Sequence, residues 1–321
     1  MGPPPWTALV DEFARRYANH NTARQYRQEL GDLFGSTGRS HPRLLTESDV
    51  YAWAGDRRLA NNTIRNRMSR VATFLRWCVR QGEADPALVE TLMGRDNPLR
   101  RIPKLYGKVQ GAYPARWLSH DEAFGALVGT CDSSDAGRRN ELVLRLGLSG
   151  VRVAELIALR VGDLDLDGTP PLISWIGKGR RERHVAVGRR LAELLADYLG
   201  RYGAALGRLL VGADPLLCRE MSGGAAGRLV WGSPIRQTCS VRRIVLRCAA
   251  DADLGHLSPH DLRRTAAGIL HDERGEDGGH RFDLLDIQRV LGHADPATTM
   301  RSYLQPRDLA TQARAAAVLD G

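Results

Sequence analysis

The segment Leu257-Ser-Pro-His260-Asp-Leu-Arg263-Arg264-Thr265 carries the strongest local pattern in this chain. Its Ser-Pro pair predicts a helix start, because proline is favoured in the first turn of a helix. His260 and Arg263 are three residues apart, so their side chains share one face of that helix. An imidazole beside a guanidinium is suited to proton transfer next to a bound phosphate. A histidine buried for structural reasons fits the same pattern, so this segment does not define a site by itself.

Two segments upstream add cationic candidates. In Leu148-Ser-Gly-Val-Arg152-Val-Ala-Glu155-Leu156, a glycine ends one predicted helix and Arg152 begins the next. The planar guanidinium of an arginine in this position is able to bind a phosphate, and the backbone amides of the helix N-terminus favour the same anion. In Ile176-Gly-Lys178-Gly-Arg180, a lysine lies at the predicted turn of a β-hairpin over residues 171–187. The chain has only three lysines, and lysine, unlike arginine, can release a proton near neutral pH.

Two segments downstream complete the pattern. Val290-Leu-Gly-His293-Ala-Asp-Pro296 predicts the end of one helix and the start of another. Thr298-Thr-Met-Arg-Ser-Tyr303 follows, and Tyr303 is the only tyrosine after Tyr202. Taken alone, a tyrosine on a C-terminal helix is more often a packing residue than a nucleophile. The order of all five segments therefore carries more information than any one of them.

Composition narrows the class of protein. The chain has 46 lysines and arginines against 37 acidic residues, a net charge of +9 and a pI near 9.7. This charge suits a polyanionic partner such as nucleic acid, although solvated surfaces explain it as well. The five cysteines are scattered and predict neither a metal site nor a disulfide framework, so a reducing, cytoplasmic location is expected. The sequence shows no signal peptide and no apolar run of about 20 residues, the length that spans a membrane.

Residues 1–98 are predicted to form a small all-helical domain, because apolar residues recur there at helical spacing. The predicted helix over residues 62–80 has an apolar side and a basic side. A solvated helix surface and a DNA-binding surface both explain the basic side. Its candidate DNA-binding residues are Arg65, Arg67 and Arg70.

Residues 99–116 are predicted to be a basic linker punctuated by proline and glycine. An extended basic linker is able to follow a phosphate backbone, and a simple interdomain tether fits the composition equally well. Its candidate DNA-binding residues are Arg101, Lys104 and Lys108. Residues 117–321 are predicted to form a second domain, which opens with the capping box Ser119-His-Asp-Glu122. The predicted fold class is mainly α with a small β-sheet, the second domain being α+β.

The order Arg, Lys, His-x-x-Arg, His, Tyr resembles that of the tyrosine recombinase, or phage integrase, family. The resemblance covers nearly the whole chain: residues 6–92 are similar to the helical, SAM-like core-binding domain of the family, and residues 117–321 to its catalytic domain. Two departures stand out. Tyr303 follows His293 by ten residues, where nine is usual, and the stretch between Arg263 and His293 contains an additional polar segment, Glu276-Asp-Gly-Gly-His280, predicted to be a surface loop.

The resemblance implies a chemistry for these residues. Tyr303 would attack the scissile phosphate, which gives a 3′-phosphotyrosine and a free 5′-hydroxyl without metal, ATP or another cofactor. Lys178 would protonate the leaving 5′-oxygen, a task that arginine cannot perform. His260 would assist the proton of the tyrosine or hold the phosphate, and Glu155 would have a supporting role. The implied ligands of the non-bridging oxygens are Arg152, Arg263 and His293.

The implied partners are a double-stranded DNA recombination site and further copies of the chain, a dimer on one site and a tetramer in synapsis. Two alternatives share much of the pattern. A type IB topoisomerase-like enzyme would use the same chemistry to relax DNA, and a DNA-binding protein of the same fold would have lost or altered cleavage.

Overall fold

The computed structural model describes residues 5–18, 20–55, 61–94, 117–177, 182–221, 228–276 and 279–292. The chain divides into two units, residues 1–113 and residues 114–321. The predicted linker over residues 99–116, with Arg101, Lys104 and Lys108, lies outside the described residues. Lys178, His293 and Tyr303 lie outside them as well.

The N-terminal unit is helical, as the apolar spacing predicts. Helix α3 begins with a capping box, in which the Asp49 amide donates to Thr46 Oγ1 at 3.2 Å and the Thr46 amide to Asp49 Oδ2 at 2.9 Å. The described helices are α1 (Trp6–Arg15), α2 (His20–Thr37), α3 (Glu47–Ala54), α4 (Asn61–Arg80) and α5 (Pro86–Met93).

Helix α2 ends later than expected. The sequence predicts its end at Gly35, but the helix continues to Thr37. The residue that leaves the helix is Gly38, whose φ of +66° places it in the left-handed region, and its amide donates to the Phe34 carbonyl at 3.0 Å. A glycine pattern alone does not distinguish these two positions, because both fit a helix end.

Aromatic side chains fill the core of the N-terminal unit. The Phe13 ring meets those of Tyr26 and Phe74 edge-on, with centroids 5.0 and 5.3 Å apart, and Trp6 stacks on Phe34 at 5.0 Å. Such pairs contribute about 0.5–1.5 kcal/mol each beyond the area that they bury. They join α1, α2 and α4 into one bundle.

The C-terminal unit is built on helices around two small sheets, which confirms the predicted α+β class. The Ser119 capping box is present, but the segment that it opens, Asp121–Leu127, is a π-helix. The α-helices are α6 (Asp135–Leu148), α7 (Val153–Leu156), α8 (Arg189–Leu206), α9 (Thr238–Asp251), α10 (Pro259–Asp272) and α11 (Leu284–Leu291).

The predicted β-hairpin is confirmed by an antiparallel sheet of order β1-β2-β3, formed by Leu164–Asp165, Leu172–Ile176 and Glu182–Ala186. Ile173 and Val185 pair in register and both point into the core. A second, two-stranded sheet pairs β4 (Cys218–Glu220) with β5 (Leu229–Pro234), in a region for which the sequence predicts no element.

Close packing of α6 and α10 positions the candidate site. A Cβ added to Gly147 of α6 would lie 2.8 Å from Leu262 Cδ1 of α10, so no larger residue fits without movement. Helix α11 in turn packs Ile287 and Leu291 against Ala266 and Ala267 of α10. The end of α6 and the end of α11 therefore lie beside the first turns of α10. None of the helices in the described ranges combines the length and apolar character needed to cross a membrane.

Candidate active site

The start of α10 is capped as the sequence predicts. The Ser258 amide and hydroxyl both donate to Asp261 Oδ2, at 2.8 and 2.7 Å, and Pro259 occupies the first turn. His260 and Arg263 therefore lie in the first turns of the helix, where the cap holds the backbone rigid. Arg264 is tied to the same cap, since its Nη1 donates to Asp261 Oδ1 at 2.8 Å.

Arg263 joins three segments that are distant in sequence. Its side chain is buried, with 2% of the residue exposed. Nη1 donates to the carbonyl of Gly150, and Nη2 donates to the carbonyl of Leu291. Gly150 has a φ of +85°, and an added Cβ there would lie 2.8 Å from Leu291 Cδ2, so only glycine allows this approach.

Arg152 is held by Glu155 and by the end of α11. Its Nη1 donates to Glu155 Oε1 at 3.0 Å, and its Nη2 to the Gly292 carbonyl at 2.9 Å. Glu155 is 9% exposed, and its second carboxylate oxygen accepts from the Arg152 amide at 3.0 Å. The carboxylate thus fixes both the backbone and the guanidinium of Arg152. The supporting role of Glu155 in catalysis stays a prediction.

Arg183 of β3 is a member of this network that the sequence interpretation missed. Its Nη2 donates to the Leu291 carbonyl at 2.9 Å, and its Nη1 lies 3.7 Å from Glu155 Oε1. The pKa of Arg183 is lowered overall. Burial of the guanidinium is the main cause, the like charge of Arg152 adds to it, and the carboxylate of Glu155 opposes both. A signal was available, because strand alternation places Arg183 on the same inward face as Val185 and Val187.

The three guanidinium groups converge on the C-terminal end of α11. Carbonyl groups at a helix end lack intrahelical partners and carry partial negative charge, which makes them suitable acceptors for cations. Gly292 caps the helix with a φ of +58°, and its amide donates to the Arg289 carbonyl at 3.0 Å. The three arginines thus hold the carbonyl groups of Leu291 and Gly292, the last described residues before His293 in the chain.

His260 completes the described part of the cluster. The residue is exposed at the surface, yet partial desolvation of the imidazole lowers its pKa, and the charges of Arg264, Arg263 and Arg152 lower it further. The negative charge of Asp261 raises the pKa of His260 and so partly offsets these effects. Because the pKa lies below its ordinary value, the imidazole is neutral at pH 7. A neutral imidazole is able to accept a proton.

The predicted site residues fall into two groups. The structure brings together Arg152, Glu155, His260 and Arg263. Lys178, His293 and Tyr303 lie outside the described residues, so their predicted roles stay predictions. Within the described ranges, no group of three or more His, Cys, Asp or Glu side chains is placed to hold a metal ion.

The predicted DNA-binding arginines of α4 differ in their surroundings. Arg65 is exposed. Arg67 donates to the Trp53 carbonyl at 3.0 Å and lies over the Trp53 ring, and Arg70 pairs with Glu29. Two of the three side chains are thus held by partners within the N-terminal unit. Their contact with DNA stays a prediction.

A second basic surface lies between the β4–β5 sheet and α9. The groove is lined by exposed arginines from both elements, and its one described acidic lining residue, Glu220, is paired with Arg139 at 3.2 Å. The sequence interpretation missed this groove. The available signal was the i, i+4 spacing of two arginines on an amphipathic helix. The exposed arginines are Arg219, Arg236, Arg243 and Arg247.

The fold is similar to that of two solved proteins bound to DNA. The XerH site-specific recombinase bound to its palindromic difH substrate in a post-cleavage complex superposes with a TM-score of 0.67, at 19% identity, over 98% of this chain and 85% of that chain. A lambda integrase tetramer bound to a Holliday junction has a TM-score of 0.60, at 14% identity, over 92% of this chain and 79% of that chain.

Sequence comparison agrees with the fold. The chain is 31% identical to the tyrosine recombinase XerC of Corynebacterium efficiens over 284 residues, which are 87% of this chain and 79% of that protein. The model of the phage integrase family matches residues 116–309, which include all six positions of the Arg, Lys, His-x-x-Arg, His, Tyr pattern. The chain therefore belongs to the phage integrase family and is a tyrosine-type site-specific recombinase.

Proposed function

We propose that the protein cuts and rejoins DNA strands through a 3′-phosphotyrosine on Tyr303, without metal or ATP. The observation that carries the proposal is the meeting of Arg152 and Arg263 at the end of α11. The charges of both arginines also act on His260. A guanidinium has five N–H donors, so the two side-chain contacts described for Arg152 leave donors for a phosphate.

The residues divide the reaction between them. The phenolic oxygen of Tyr303 attacks phosphorus, the bond from phosphorus to the 5′-oxygen breaks, and Lys178 gives a proton to that oxygen. The lowered pKa of His260 favours a neutral imidazole, which would take part in moving the phenolic proton. Arg152 and Arg263 stabilise the charge that develops on the non-bridging oxygens, as preorganised donors do in other enzymes. The phosphotyrosine bond conserves the energy of the broken bond, so a 5′-hydroxyl can reverse the step.

The experiment uses a duplex that carries a binding site selected from a random library with the full-length protein. Nicks at successive positions let the short cleaved fragment diffuse away, which traps the covalent complex. We expect the wild type to form an adduct in EDTA and without ATP, and Tyr303→Phe to form none, because the phenolic oxygen is the bond-forming atom. Denaturing gel electrophoresis measures the adduct.

Tyr17→Phe, which removes a phenol from the N-terminal unit, is the matched control and should form the adduct at the wild-type rate. An adduct in Tyr303→Phe would exclude this nucleophile. DNA binding without any adduct in the wild type would instead favour a binding protein that has lost cleavage. Relaxation of supercoiled DNA without strand exchange would favour the topoisomerase-like alternative.

The DNA surface is proposed to include the arginine groove of the C-terminal unit together with the arginines of α4 and the basic linker. Exposed arginines bind phosphates and release counterions, which makes affinity fall with salt. By analogy with the DNA-bound relatives, we propose a dimer on each site and a tetramer in synapsis.

We expect Arg243→Gln with Arg247→Gln to weaken binding to all duplexes and to reduce the slope of log K against log salt by about 1 for each lost phosphate contact. Fluorescence anisotropy at a series of salt concentrations measures that slope. Arg190→Gln on α8, which removes an exposed arginine outside the groove, is the control. An unchanged slope in the double variant would remove the groove from the DNA surface.

A further inference from the structure

The ion pair of Arg183 and Glu155 lies against two backbone positions that each precede a predicted catalytic residue. A Cβ added to Gly292, the residue before His293, would lie 2.5 Å from Arg183 Cζ. A Cβ added to Gly177, the residue before Lys178, would lie 3.1 Å from Arg183 Cδ and 3.4 Å from Glu155 Oε1. One buried pair therefore contacts the backbone at the starts of two separate segments.

The contacts of Arg183 are directional. Its Nη2 donates to the Leu291 carbonyl at 2.9 Å, while Nη1 is attracted to Glu155 at 3.7 Å. The guanidinium lies over the Trp175 ring, with Cζ 5.3 Å from the ring centroid. A planar group held on an aromatic face and at both ends has little freedom to move.

Stability alone does not account for an arginine at this position. The side chain is 10% exposed, and Arg152 of like charge is close enough to lower its pKa. Removing a charge from water is costly, and buried ion pairs are often matched or exceeded in stability by apolar residues of similar volume. A leucine on this inward face would pack against Trp175 without that cost, so the hydrogen bond to α11 is what arginine adds.

We propose that Arg183 is a positioning residue, which holds the backbone before Lys178 and the backbone before His293 in one arrangement. It does not touch the reacting atoms. It sets where the lysine and the histidine meet the scissile phosphate, with Glu155 fixing its orientation. This inference rests on the proposed function, because it assigns Arg183 a task in that reaction.

The test compares Arg183→Gln and Arg183→Lys with the wild type in single-turnover adduct formation at saturating DNA. Since a displacement of about 1 Å can cost about 10²-fold in rate, we expect Arg183→Gln to slow adduct formation by about 10- to 100-fold, with DNA affinity within about twofold of the wild type. Arg183→Lys, which retains the charge beside Glu155, should recover part of the rate. His184→Gln, on the opposite face of β3, is the matched control and should have the wild-type rate.

Double variants separate positioning from loss of structure. If Arg183 acts through Lys178 and His293, its replacement should cost far less in a Lys178→Ala or His293→Ala background, because residues that act as a unit are not additive. A duplex with sulfur in place of the bridging 5′-oxygen adds a second measurement. A thiolate leaves without a proton, so the deficit of Arg183→Gln should shrink on this substrate.

Three results would overturn the inference. The first is a wild-type rate of adduct formation in Arg183→Gln. The second is that Arg183→Gln lowers the rate by its full factor in both the Lys178→Ala and the His293→Ala background, and by the same factor on the sulfur substrate. The third is loss of cooperative unfolding in both Arg183 variants. The last result would assign Arg183 a purely structural role. The two proposals fail differently: if the wild type forms no adduct, the proposed function fails, whereas an adduct in the wild type that Arg183→Gln matches contradicts only the positioning role.

Discussion

Replacement of Arg263 by lysine is expected to slow adduct formation by about 10²–10³-fold, the usual cost of losing one preorganised donor at a charge-developing centre. Arg263 is almost fully buried and reaches the carbonyls of Gly150 and Leu291 with its two terminal nitrogens. A lysine has one ammonium group on a flexible stem and cannot donate to both carbonyls in the geometry that the planar guanidinium provides. The charge would be retained, but the geometry would be lost.

Single-turnover adduct formation on the nicked duplex measures the rate, and thermal unfolding shows whether the variant folds. Arg264→Lys is the matched control: it makes the same change one residue further along α10, where the half-buried side chain pairs with Asp261 of the helix cap. We expect its rate to stay within a few-fold of the wild type. If Arg263→Lys formed the adduct as fast as the wild type, the planar geometry of the guanidinium would not be needed in the transition state.

Replacement of Glu155 by glutamine is expected to destabilise the C-terminal unit by about 3 kcal/mol, the lower end of the cost of removing one partner from a buried ion pair. The lower end applies because Arg152, one of its two partners, is partly open to solvent. The carboxylate interacts with both Arg152 and Arg183, so its loss leaves two neighbouring guanidinium groups without a neutralising charge. The amide of glutamine keeps the shape but not the charge.

The midpoint of urea unfolding measures the change in free energy, because it shifts with stability when the slope is constant. Glu193→Gln on α8 is the control. Its pairs with Arg189 and Arg190 are exposed, so its loss should change stability by less than about 0.5 kcal/mol. Adduct formation by Glu155→Gln should fall as well, since Arg152 loses one of its two anchors. Surface substitutions usually change stability by less than about 0.5 kcal/mol. A change this small in Glu155→Gln would contradict the idea that its carboxylate neutralises both Arg152 and Arg183.

Local sequence patterns predicted the features that depend on neighbours in the chain. The capping box at Ser119 and the helix start at Ser258 are present because each requires only residues a few positions apart. The hairpin of β2 and β3 follows from alternation and from a glycine-rich turn. Local patterns failed where the outcome depends on distant packing. The helix after Ser119 is a π-helix, and β4 and β5 lie in a stretch without clear periodicity.

The sequence by itself determined the family, the order of the predicted catalytic positions and the helix starts that carry His260 and Arg152, because these are encoded in short spacings. Only the tertiary structure decided which carbonyls the arginines bind, and that Arg183 joins Glu155 beneath the end of α11. Arg183 and Leu291 are 108 residues apart. They are in contact because β3, the end of α11 and the turn at Gly150 pack against one another. No local sequence pattern predicts such packing.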